Sequence, residues 1–174
     1  MLFNTETPLT TGAESFDAIT AGRSDSQLIE TLPVASTVIR VRHTTASMGK
    51  ETVQTDDAPP AAADYSQATV SGDLVFTAGQ VALTPEGDSL ADEPVQTQAE
   101  RVLENLAAVL EAAGSSLDDA LKVTVFLADI DDYGAVNEVY GDYVGADPPA
   151  RSAVEVGDLP LGMAVEMEAV ATRA

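Results

Sequence analysis

The chain predicts an α+β domain, one sheet with two helices laid on one of its faces. Three observations predict it. Apolar, β-rich runs recur at 66–72, 74–83, 121–129, 150–156 and 164–173. Two stretches with helical spacing, 94–113 and 129–144, lie between them. The resulting order, β-β-α-β-α-β-β, gives both helices a sheet on which to bury an apolar stripe.

The elements follow from local chemistry. SQATVSG (66–72) reads as a short strand closing on Gly72. Gly72-Asp73 between two strand-like runs is a hairpin signal. LVFTAGQVAL (74–83) is mostly apolar and reads as one largely buried strand, followed by a turn at TPEGDSL. In 94–113, Val95, Ala99, Val102, Leu103, Leu106, Val109, Leu110 and Ala113 recur at steps of three and four, a helical stripe. Asp92 is the expected N-cap, with Pro94 in the first turn and Gly114 as the stop. LKVTVFLAD (121–129) alternates and is β-branched, a strand. DIDDYGAVNEVYGDYV (129–144) opens with acids suited to a helix N-terminus. Ala135, Val136, Val139, Tyr140 and Tyr143 then repeat at helical spacing, and Gly145 with Pro148-Pro149 ends the helix. Residues 150–156 and 164–173 supply the last two strands, joined by a turn at Gly162. The sheet face without helices is expected to be apolar and to be covered by association with other copies.

Composition narrows the chemistry. With 45% hydrophobic residues in 174, the chain can bury a core. It has no cysteine, which excludes disulfides, thiol nucleophiles and thiolate metal sites. Acids outnumber bases 29 to 8, for a net charge of −21. That field repels nucleic-acid phosphates and anionic lipid, and it suits a solvated acidic surface in a high-salt (halophilic) cytoplasm. No apolar run approaches a membrane span. MLFNTETPLTTG lacks the basic and apolar regions of a secretory signal, so a soluble cytoplasmic protein is expected.

The charge is uneven. Residues 1–47 carry five acids and three bases, a net of −2, whereas 48–174 carry 24 acids and five bases, a net of −19. The first part is rich in Thr, Ser and Ala and lacks sustained periodicity; its one apolar run, LPVASTVIRV (32–41), is isolated. It is expected to be a poorly structured extension to a domain spanning 48–174. Translation starting at Met48 is the open alternative.

A Ser-His-Asp triad would have to use His43, the only histidine, outside that domain. DIDDYG (129–134) lacks the spacing of a calcium loop, and no glycine-rich nucleotide fingerprint occurs. No metal site is expected. What remains is Arg151 among strand carboxylates. Alternation puts Arg151, Ala153 and Glu155 on one face, and Glu166 and Glu168 together on one face of the last strand. An arginine in a half-buried strand needs an anion. Two readings stay open: a structural ion pair with one of these acids, or a fork of hydrogen bonds to a ligand carboxylate.

Five stretches in one register, APPAAADYSQA (58–68), LVFTAGQV (74–81), ENLAAVLEAAGSSLDDALKVTVFLADIDDYGAVNEVY (104–140), PARSAVEV (149–156) and VEMEAVA (165–171), resemble the reactive-intermediate deaminase (Rid) family, also called the YjgF/UK114 family. The resemblance runs from about residue 49 to 174. It implies a chorismate-mutase-like fold and a homotrimer with a barrel-like core and clefts between subunits. It also implies hydrolysis of enamines and imines, such as 2-iminopropanoate and 2-iminobutanoate, to 2-oxo acids and ammonia, without a cofactor. By resemblance, Arg151 binds the substrate carboxylate and Glu166 holds or activates water. Tyr65, Gly79 and Asn137 line the cleft. Ala153 stands where the family often has cysteine, and its carbonyl is left to hold water. Ala63-Asp64 replaces a common Gly-Pro, which sets a negative charge beside a carboxylate site. The alternative from another class is a small-molecule-binding or chaperone-like member without turnover.

Overall fold

The computed structural model describes residues 49–173. The expectations for 1–47, His43 and a start at Met48 lie outside the described residues. Seven strands and two helices form a single mixed sheet with the helices on one side. The strands are β1 (Glu51–Val53), β2 (Ala68–Ser71), β3 (Leu74–Thr77), β4 (Gln80–Val81), β5 (Ala120–Leu127), β6 (Ala150–Glu155) and β7 (Val165–Thr172). Helix α1 spans Val95–Ala112 and α2 spans Tyr133–Tyr143. The sheet order is β1-β2-β3-β7-β5-β6, with β4 also pairing β7. All pairs are antiparallel except β5 with β6, which α2 connects as a crossover.

Local signals explain the joints. The β2–β3 hairpin turns on Gly72-Asp73, with Ser71 opposite Leu74 and Gly72 at φ +61°. Helix α1 stops at Gly114, where φ is +78°; the Gly114 N–H donates to the Glu111 carbonyl and the Ser115 N–H to that of Leu110, which satisfies the orphaned last turn.

The structure corrects several expectations. Asp92 is not the N-cap of α1: Pro94 occupies that position, and no side chain caps the helix. Helix α2 begins only at Tyr133, because a 3₁₀ turn over Ile130–Asp132, capped by the Asp129 carboxylate, uses up the acidic lead. The run 74–83 is not one strand. It breaks after Thr77, whose Oγ1 accepts the Ala169 N–H at 2.9 Å, and pairing resumes at Gln80. Strand β1 was not expected; its three residues form only because they lie along β2.

The core lies between the sheet and α1. Val102, Leu103, Leu106, Val109 and Leu110 of α1 meet Val123, Val125, Leu127, Val165 and Met167, all essentially inaccessible. Two buried amides tie α1 to irregular backbone. Asn105 Nδ2 donates to the carbonyls of Val81 (3.1 Å) and Leu83 (2.9 Å). Gln98 donates to Ala91 and Glu93 and accepts the Ala164 N–H. They fix β4 and the entry to β7 where a loose segment would leave buried polar groups unmet. The uncovered face is mixed rather than apolar: Lys122, Thr124, Phe126, Glu166, Glu168 and Val170 share it with exposed Phe76 and Val154.

Candidate active site

The last clear demand of the sequence is a partner for Arg151. Edge strand β6 places Arg151 opposite Val123, on the helix-covered side of the sheet. There α2 presents Tyr133, Asn137 and Tyr140, spaced i, i+4, i+7 along one helical face. Arg151 Nη2 donates to Asn137 Oδ1 at 2.7 Å and to the Tyr133 hydroxyl at 2.8 Å. The guanidinium also lies over the Tyr140 ring, 4.5 Å from its centroid, and 5.5 Å from that of Tyr133. Burial pushes the Tyr140 phenol up, against the weaker opposing pull of Arg151, so a neutral ring faces the cation.

No carboxylate meets Arg151 among the described residues. The ion pairs there are Arg101–Glu104 (2.9 Å) and Arg173–Glu51 (3.1 Å). Glu155, the acid on its own strand face, instead accepts the Ile130 N–H at 3.0 Å. The ion-pair reading with these strand acids therefore fails: three neutral groups hold the guanidinium, and no carboxylate of the described residues matches its charge. It opens on a cleft of about 330 Å³ lined by Asn137, Tyr140, Val144, Pro148 and Pro149.

Glu166 lies elsewhere. On β7 it faces the uncovered side, opposite Val81 and Phe126. Its carboxyl fills the space above Gly79, where a Cβ would collide with Oε1. The break between β3 and β4 makes that approach possible. Burial, and then the neighbouring Glu168 charge, raise the Glu166 carboxyl above the usual carboxylate range. A proton-transfer group poised this way suits general acid–base work.

The expected site residues thus fall in three places. Arg151 and Asn137 are bonded, with Ala153 two residues along the same side of β6. Glu166 and Gly79 are in contact on the opposite sheet face. Tyr65, 52% exposed, lines a separate hollow of about 230 Å³ with Thr52, Gln54 and Ala63, and Asp64 beside it is exposed. Buried Gln67 shapes that loop by donating to the carbonyls of Thr55, Ala58 and Pro59. Sequence reasoning missed Tyr133 and took Tyr140 only as part of an apolar stripe; the i, i+4, i+7 spacing around Asn137 was the available signal.

A family model described as Endoribonuclease L-PSP matches residues 55–173. The chain belongs to that family. It is the YjgF/UK114/RutC, or Rid, family, and its fold is the one seen here. A RutC family protein of Pyrococcus abyssi is 46% identical over 124 residues, 71% of this chain and 98% of its own. A rat protein named 2-iminobutanoate/2-iminopropanoate deaminase is 38% identical over 128 residues, 74% of this chain and 93% of its own. The solved structure of E. coli TdcF with bound serine has a TM-score of 0.67 and 38% identity, covering 71% of this chain and 99% of that one. The Rid family therefore includes members named for imine deamination, and others named only as RutC proteins. Among the described residues of this Rid-family chain, no helix is long and apolar enough to cross a membrane.

Proposed function

We propose that the protein hydrolyses reactive 2-imino acids and their enamines to 2-oxo acids and ammonia, at sites completed between copies of a homotrimer. The observation that carries this reading is Arg151: a guanidinium held by neutral groups beside an open cleft, with no carboxylate partner among the described residues. Such a group is a seat for a small carboxylate. The rat relative's name and the serine bound to E. coli TdcF agree with a ligand of that size and charge.

Arg151 and Glu166 face opposite sides of the sheet, so a site that uses both draws them from two copies. In this reading one copy supplies Arg151, Asn137 and Ala153, and its neighbour supplies Glu166, Gly79 and Tyr65. The exposed apolar residues on the uncovered face, Phe76 and Val154 among them, favour such packing. With the carboxylate on Arg151, the ionised Glu166 orients water against the C=N carbon. Water adds to that carbon and both of its protons pass through Glu166 to the nitrogen, the first on addition and the second as the C–N bond breaks, so ammonia leaves as the C=O forms. Positioning and proton transfer together need supply only modest acceleration, because free imines already hydrolyse in water. A nucleic-acid substrate is disfavoured by the net charge of −21.

The test is ammonia release from freshly generated 2-iminopropanoate in high salt. Arg151→Ala is expected to lose the acceleration while light scattering shows the same assembly as the parent. Full activity in that variant would overturn the reading. Carboxylate binding without turnover in the parent protein would favour the non-catalytic alternative.

A further inference from the structure

The hydrogen bonds of Arg151 are unevenly spent. Both contacts, to Asn137 Oδ1 at 2.7 Å and to the Tyr133 hydroxyl at 2.8 Å, use Nη2. A guanidinium has five N–H donors in a fixed plane, and Nη2 has two of them. Both ways of forking a carboxylate, end-on through Nη1 and Nη2 or side-on through Nε and Nη2, use an Nη2 hydrogen. A carboxylate can therefore fork this arginine only by displacing Asn137 or Tyr133.

Tyr133 offers another geometry. Its hydroxyl accepts from Arg151, so its own hydrogen is directed elsewhere, and among the described residues it has no acceptor. The residue is 43% exposed. An unspent O–H thus lies within one hydrogen-bond length of an unmatched cation. We infer that the substrate carboxylate bridges Arg151 and Tyr133: one oxygen takes an N–H of the guanidinium, the other takes the Tyr133 O–H, and the Arg151–Tyr133–Asn137 contacts stay intact. Tyr133 is then a specificity-determining residue for the carboxylate, and a hydrogen bond to that charged group is a strong one.

This inference rests on the imine-hydrolase reading of the site. Tyr133→Phe keeps the ring over the guanidinium and removes only the hydroxyl. Steady-state kinetics with 2-iminopropanoate are expected to show KM raised about tenfold or more, with kcat within about threefold of the parent. The Kd of pyruvate, the corresponding 2-oxo acid, is expected to rise by the same factor in titration calorimetry. If KM and that Kd stay within about twofold, or if kcat falls while KM holds, Tyr133 does not touch the carboxylate and the inference is overturned. Arg151→Ala, run in parallel, separates the two ideas. Loss of turnover in Arg151→Ala beside unchanged Tyr133→Phe defeats only the role of Tyr133. Unchanged turnover in Arg151→Ala defeats the imine-hydrolase reading itself.

Discussion

Along β7 successive side chains live in two different worlds. Val165, Met167, Ala169 and Ala171 point under α1 and are almost wholly buried, whereas Glu166, Glu168, Val170 and Thr172 point to the uncovered side and are half-buried. The first set lies in the buried core, where an unpaired charge would cost several kcal/mol. The second keeps two carboxyls two residues apart on one face, an arrangement that repels itself. A strand shaped for stability alone would not carry it. The contrast shows where chemistry can be placed on such a sheet: on the open face, partial burial and then the Glu168 charge raise the Glu166 carboxyl, while the covered face holds no carboxyl on this strand.

Substitutions on the two faces test this contrast. The largest effect is expected from Glu166→Gln, which keeps shape and removes the ionisable group. Imine hydrolysis is expected to fall by roughly 10²–10⁴-fold. Its stability should move the other way. A carboxyl raised by folding binds its proton more tightly in the folded state, so stability falls as pH rises from the ordinary carboxylate range through the raised value. Above that window the ionised form is a standing cost, which Gln removes. Thermal unfolding at neutral pH should therefore show Glu166→Gln no less stable than the parent; a clear drop in Tm would contradict the assignment of its environment.

On the covered face the pattern reverses. Leu127→Ala opens a cavity beneath α1 and is expected to cost about 2–5 kcal/mol in denaturant unfolding. The folded fraction that remains should retain its kcat. A loss below about 1 kcal/mol would mean that the covered face is not the stabilising one. The smallest effect is expected from Glu168→Gln. Removing a like charge lowers the Glu166 carboxyl toward its ordinary range, so its ionised form persists to lower pH. The acid limb of the pH–rate profile should shift to lower pH with little change in the plateau. A shift upward, or none, would remove Glu168 as a tuning charge.

Much of the fold was legible because its signals are local. The stripe of α1, the Gly72-Asp73 turn and the Gly114 stop each need only a few neighbouring residues. What was not legible depends on distant partners. β1 exists only against β2, and the break at Ala78-Gly79 makes room for a carboxyl some ninety residues later, on β7. Asp92 was a reasonable cap by type, but the chain enters α1 through Pro94 instead. At the site, alternation placed Arg151 and Glu166 correctly on their own strands. It could not say that β6 and β7 turn these two residues to opposite sides, since that follows from register across β5. Nor could it separate the two duties of α2, whose Val136 and Val139 fill the core while Tyr133, Asn137 and Tyr140 hold the arginine.

Gly79 and Glu166 are far apart in the chain but share one volume: the carboxyl occupies the space that any side chain at position 79 would need. The two positions are therefore coupled across strands. While the Glu166 carboxyl lies where it does, a side chain at 79 has to push it aside. A substitution at 79 thus reaches the chemistry of β7 without touching β7 itself: the first group it moves is the carboxyl.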